Sequence, residues 1–153
     1  MKIKNKSLLI ICILIPLAVG SLSSLFSGNM MEPAFTKVPL SPPAFLFPIV
    51  WTVLYILMGI SSYLIVMSGS PLAPKALRVY ALQLFFNFFW SILFFRFSMY
   101  LLAFLWLLAL IYLIIWMIRL FYEIEPLAAY LQIPYLLWCI FAAYLNFMIY
   151  KAN

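Results

Sequence analysis

Trp51, Tyr55, Gln83, Asn87, Trp90, Tyr135, Trp138 and Asn146 are polar-tipped side chains set inside three long apolar runs of this chain. On a helix, Gln83, Asn87, Trp90 and Ser91 follow an i, i+4, i+7, i+8 pattern and fall within about 100° of arc. Tyr135, Trp138, Ala142 and Asn146 fall within about 80° by the same arithmetic. Trp51, Tyr55, Met58 and Ser62 repeat the pattern in the first run. Amides are costly in a bilayer unless they face the interior of a bundle, so the three rows mark inward faces. Taken singly, each amide reads equally well as interhelical glue worth ~0.6 kcal/mol per hydrogen bond, and each aromatic as packing or an interface belt. Taken together, indoles, phenols and amides directed at one volume describe a pocket with aromatic walls and few orienting polar groups.

The chemistry open to such a set is stacking and hydrogen bonding. The three acids, Glu32, Glu123 and Glu125, all lie outside the apolar runs, and the chain has no histidine. A paired-carboxylate, Ser-His-Asp or Cys-His active site is therefore not expected. Cys12 and Cys139 stand singly in apolar stretches without C-x-x-C spacing. They support neither a disulfide framework nor a metal site and read as small buried hydrophobes.

The elements that must position these residues follow from composition. With 69% hydrophobic and 8% charged residues, the chain cannot dress a water-facing surface, for which roughly 45–50% and 25% are usual. An all-α integral membrane bundle in one domain, residues 1–153, is expected. The net charge of +6 comes from cations scattered at the ends of apolar runs, which reads as membrane anchoring and not as nucleic-acid binding.

Five transmembrane helices are predicted, at about 7–26, 42–67, 76–95, 99–120 and 126–150. Ser41 is read as the cap of the second helix and Pro42 and Pro43 as its first turn. Pro16 is expected to kink the first helix mildly. A cleaved signal peptide is the rival reading of that segment, with small residues at Ser21, Ser23 and Ser24. The irregular segment 28–40, which carries Gly28, Asn29, Glu32, Pro33, Lys37 and Pro39, reads as a lid-like loop. Glu123, Glu125 and Pro126 mark the start of the last helix. Lys2, Lys4, Lys6, Lys75, Arg78 and Arg119 fall on one side, against Lys37, Arg96 and Lys151 on the other. The positive-inside rule then puts the N-terminus in the cytoplasm and the C-terminus outside. No inverted repeat of transporter type is visible. Trp106 and Trp116 are assigned to packing or lipid-facing roles.

The runs SPPAFLFPIVWTVLYILMG, ALQLFFNFFWSILFF and PYLLWCIFAAYLNFMIYKAN resemble the TspO/MBR family of membrane proteins. The resemblance implies a homodimer in the lipid bilayer whose pocket opens towards the first loop. It implies porphyrin ligands, protoporphyrin IX foremost and haem by extension, with synthetic isoquinoline carboxamides and benzodiazepines sharing the pocket and no tightly bound cofactor. The family's helix-two tryptophan falls on Trp51, its helix-three amide on Asn87, and its helix-five tryptophan and small residue on Trp138 and Ala142. The ligand-binding set is thus Pro42, Trp51, Tyr55, Gln83, Asn87, Trp90, Tyr135, Trp138, Ala142 and Asn146. The resemblance further implies light-dependent oxidative breakdown of bound porphyrin, with Trp51 and Trp138 as oxidisable indoles. A non-enzymatic transporter or sensory receptor for porphyrins or other apolar molecules is the alternative. The family's proposed sterol motif is interrupted, because Phe147 follows Asn146 where a tyrosine is expected.

Overall fold

The computed structural model describes residues 2–28 and 35–153. Every regular element among them is helical: α1 (Lys6–Ser27), α2 (Leu46–Val66), α3 (Ala73–Ser91), α4 (Tyr100–Ile124), α5 (Pro126–Tyr130) and α6 (Ile133–Ala152), with a π-helical turn over Ile92–Arg96 that prolongs α3. Among the described residues, five segments are long and apolar enough to cross a membrane: α1, α2, α3 with its π turn, α4, and α5 with α6.

α1 starts at a side-chain cap, Asn5, whose Oδ1 accepts the Leu8 N–H at 3.0 Å. The N–H groups of Lys4 and Asn5 donate to the Tyr63 hydroxyl at 3.0 and 3.1 Å, which ties the head of α1 to the end of α2. At the other end the Thr36 N–H donates to Asn153 Oδ1 at 3.1 Å. The two chain ends therefore lie at opposite ends of the bundle, as an odd number of spans requires.

α4 buries Ala103, Leu107, Leu110, Ile114, Met117 and Phe121, a 3–4 spacing that faces one side of a helix towards its neighbours. It packs on α3, α5 and α6. α1 is peripheral: it leaves Ile10, Ile11, Leu14, Ile15, Leu22 and Leu25 exposed, a face suited to acyl chains. Its close partner is α2. A Cβ on Gly59 would strike the Ile13 Cα and lie 2.7 Å from the Cys12 carbonyl oxygen, so the two backbones meet where Gly59 has no side chain.

Four boundaries differ from the sequence expectation. α2 begins at Leu46 and not at Pro42. A proline disfavours the α conformation in the residue before it, and Ser41 and Pro42 both precede one. Ser41 instead closes a local turn, its N–H donating to the Val38 carbonyl at 3.2 Å and its hydroxyl accepting the Val38 N–H at 3.3 Å. The third span starts earlier, at Ala73, with Pro74 in its first turn. α4 runs on to Ile124. The last span is not one helix. Pro134 cannot donate to the Tyr130 carbonyl and its ring clashes there, so the helix breaks at Leu131–Gln132. The expected start at Glu125 and Pro126 holds, with Glu125 Oε1 accepting the Leu127 N–H at 3.4 Å. Of the expected lid-like loop, residues 29–34, Glu32 and Pro33 among them, lie outside the described residues.

Candidate ligand site

The three inward rows meet through a chain of hydrogen bonds. The Tyr55 hydroxyl donates to Asn87 Oδ1 at 2.7 Å, Asn87 Nδ2 donates to the Tyr135 hydroxyl at 2.9 Å, and that hydroxyl donates to Gln83 Oε1 at 2.7 Å. α2, α3 and α6 are thereby joined at one level, and all four side chains are buried. The chain is satisfied except at Gln83 Nε2, which is buried and has no partner among the described residues. The ring of Tyr55 reaches this position because Gly20 of α1 carries no side chain; a Cβ there would overlap the phenol ring. A second tie lies nearer the loop end. Trp90 Nε1 donates to Asn146 Oδ1 at 3.1 Å, and Asn146 Nδ2 donates to the Tyr100 carbonyl at 2.8 Å.

Two chambers adjoin these ties. The larger holds about 520 Å³ and is bounded by Leu17, Gly20, Ser21 and Ser24 of α1, Trp51, Thr52 and Tyr55 of α2, and Ser91 and Phe95 at the end of α3. Trp51 stacks on Tyr55, ring centroids 5.6 Å apart and planes 29° from parallel, and meets Tyr135 edge-on at 6.2 Å. The wall is thus a run of fixed rings. The smaller chamber holds about 50 Å³ beneath the segment Phe35–Ala44, between Trp90 and Phe94 on one side and Ala142, Leu145, Asn146 and Ile149 of α6 on the other. Phe35 is held over it by Phe94 at 5.2 Å, Tyr100 at 6.1 Å and Phe95 at 6.2 Å. Lys37 and Ser41 bring polar atoms to its rim.

Nine of the ten residues picked from the sequence fall into three groups, and Trp138 stands apart. Trp51 and Tyr55 line the large chamber. Pro42, Trp90, Ala142 and Asn146 line the small one. Gln83, Asn87 and Tyr135 stand behind the walls in the hydrogen-bond chain, where both heteroatoms of Asn87 are engaged by tyrosine hydroxyls. Trp138 packs edge-on against Phe47 at 5.8 Å, and its buried Nε1 has no partner among the described residues. The single volume foreseen from the sequence is therefore two, and Ala44, Phe47 and Phe95 line both.

The α1 contribution escaped the sequence reading. Its signal was the i, i+4, i+8 series Gly20, Ser24, Gly28, all of which line the large chamber; of these, only Ser24 enters the sequence expectation for α1, as one of the small residues of the cleavage reading. Phe47 and Phe95 were hidden among apolar neighbours. Trp106 packs between helices, stacked on Phe86 at 4.3 Å with its N–H donated to the Phe86 carbonyl at 2.7 Å, while Trp116 lies outward against Tyr112.

Residues 12–151 match the model of the TspO/MBR family. The chain belongs to the TspO/MBR family. It is 35% identical over 148 residues to the tryptophan-rich protein TspO of Archaeoglobus fulgidus, covering 95% of this chain and 96% of that protein. It is 31% identical over 143 residues to protein CrtK of Rhodobacter capsulatus, covering 88% and 85%. It is also 34% identical over 151 residues to the translocator protein of Sus scrofa, covering 92% and 86%. Both chambers and the tyrosine–amide chain lie inside the TspO/MBR match, and with five spanning segments the chain is a multi-pass membrane protein.

Proposed function

We propose that this TspO/MBR chain is a membrane receptor for planar apolar ligands, with tetrapyrroles of the protoporphyrin IX type as the natural class. The observation that carries the reading is the large chamber, whose volume of about 520 Å³ falls in the roughly 300–1,000 Å³ range of small-molecule sites. Its stacked Trp51–Tyr55 wall suits a flat conjugated ring. Isoquinoline carboxamides and benzodiazepines present smaller flat rings to the same wall. A sensory or translocator role agrees with the names of the relatives, among them the tryptophan-rich sensory protein of Cereibacter sphaeroides and the translocator protein of Sus scrofa. The cation distribution supports a cytoplasmic N-terminus, and a homodimer is the working assembly.

Light-dependent breakdown of bound porphyrin is the chemical extension of this reading. The porphyrin absorbs the light, dissolved dioxygen is the oxidant that takes up the electrons, and the protein contributes enclosure and an oxidisable indole. Trp51 borders the large chamber directly, whereas Trp138 lies behind its wall, packed on Phe47. The test is to illuminate purified protein with protoporphyrin IX and follow its main absorption band, with Trp51→Phe, Trp138→Phe and a protein-free control. Loss faster than the control that slows in Trp51→Phe is the expected result. Bleaching at one rate in the wild type and both variants removes the indole role. Dark flux of porphyrin into sealed vesicles then decides whether the receptor also translocates its ligand.

A further inference from the structure

Four residues of the candidate site sit around a chamber too small for any drug-sized ligand, while Trp51 and Tyr55 sit around one that is large enough. The two sets belong to one binding site only if whatever separates the chambers moves. Phe47 is the side chain placed to do so. It lines both chambers together with Ala44 and Phe95, and its ring stands edge-on to Trp138. Ala44 is too short to form a partition by itself.

The backbone around Phe47 is lightly held. It occupies the first turn of α2, where Phe45 at the cap position supplies no side-chain hydrogen bond. The Phe47 N–H reaches the Ala44 carbonyl only at 3.4 Å, and Pro42, Pro43 and Pro48 have no N–H to contribute. Phe95 lies in the π-helical turn, a form found mostly as single turns at functional sites. A partition built from a loosely capped helix start and a π turn opens at lower cost than one built from helix interiors.

We propose that Phe47 is a swinging partition, closed in this structure, and that its rotation joins the two chambers into one site for a ligand broader than a single ring system. The inference rests on the receptor reading above. The ligand class follows from the linings. The fused rings lie along Trp51 in the large chamber, and the polar or acidic edge points into the small one, whose lining includes Lys37 and Ser41. Phe47 thereby selects by size: a one- or two-ring molecule is held with the partition closed, whereas a macrocycle has to displace it.

The experiment uses the indole N–H resonances of the full-length protein in lipid nanodiscs, with protoporphyrin IX and, separately, quinoline as probes. Trp51 reports on the large chamber and Trp90 on the small one. Porphyrin is expected to shift both resonances and quinoline only that of Trp51. Phe47→Ala is expected to raise the porphyrin association rate about tenfold and to leave that of quinoline within twofold. Phe47→Leu, which keeps an apolar side chain in the helix start, should show the same trend at smaller size. A porphyrin shift confined to Trp51 overturns the proposal. Unchanged porphyrin rates in both variants, with both resonances shifting, also overturn it, because something other than Phe47 then moves. If neither probe shifts any indole in the wild type, the receptor reading fails and the partition with it.

Discussion

The two halves of α2 show how this bundle divides its work. Towards the N-terminal end of the molecule, Met58, Gly59, Ser61, Ser62, Tyr63 and Ile65 are all buried. Gly59 lets α1 touch backbone to backbone, Ser61 Oγ donates to the Ala128 carbonyl of α5 at 2.6 Å, and Tyr63 holds the start of α1. Towards the loop end, Phe45, Pro48, Ile49, Thr52 and Val53 are exposed and Trp51 borders a chamber. One helix is therefore clamped at one end and lines open space at the other. The Tyr55–Asn87–Tyr135–Gln83 chain lies at the junction. Close packing at the clamped end allows the other end to carry a cavity, which forgoes dispersion contacts along its walls.

Damage to the clamped end should therefore cost stability, and damage to the open end should cost binding. The largest effect is expected for Gly59→Val, whose side chain meets the α1 backbone. Overpacking of this kind costs about 3 kcal/mol, read as a fall in melting temperature in detergent with α1 loosened from α2 in hydrogen exchange. Tyr135→Phe comes next. It leaves Asn87 Nδ2 and Gln83 Oε1 without their partner, at about 1–2 kcal/mol. Because it lies at the junction, it should also weaken ligand binding, measured by tryptophan quenching on titration with protoporphyrin IX. Tyr63→Phe removes the acceptor for two N–H groups at the clamped end and should cost about 1 kcal/mol of stability with ligand affinity unchanged. Trp51→Phe should have the smallest effect on stability, below about 0.5 kcal/mol, while lowering porphyrin affinity several-fold. A large stability loss in Trp51→Phe, or lost binding in Tyr63→Phe, would erase the contrast between the two halves.

Much of this was legible before folding. The amide and tyrosine positions on α3 and α6 emerged from helical spacing, because a polar group in hydrocarbon must face inward; Gln83, Asn87, Tyr135 and Asn146 are all buried as that rule requires. The helix start at Glu125 was equally local, since a side-chain acceptor followed by proline acts within one turn. The α2 start was misplaced because Ser41 and two prolines fit a first turn as well as they fit the turn before it, and the hydrogen bond from Val38 to Ser41 decides between them. The break before α6 had a local cause in Pro134, but prolines in membrane helices are often tolerated by neighbouring groups, so spacing could not locate it.

The sequence by itself determined that this is a membrane bundle of five spans, that it belongs with the TspO/MBR proteins, and which side chains face inward. The first and last of these depend on composition and on a fixed 100° rotation per residue, whereas the family resemblance rests on three sequence runs. Only the tertiary structure decided which inward side chains meet each other and which meet empty space. Asn87 turned out to be engaged by two tyrosines, α1 supplied a wall through Gly20 and Ser24, and Phe47 came to stand between two chambers. The physical reason is that a cavity is what remains after all five spans have packed, and the distances between helices are set by contacts such as Gly59 on Ile13 that no single segment contains.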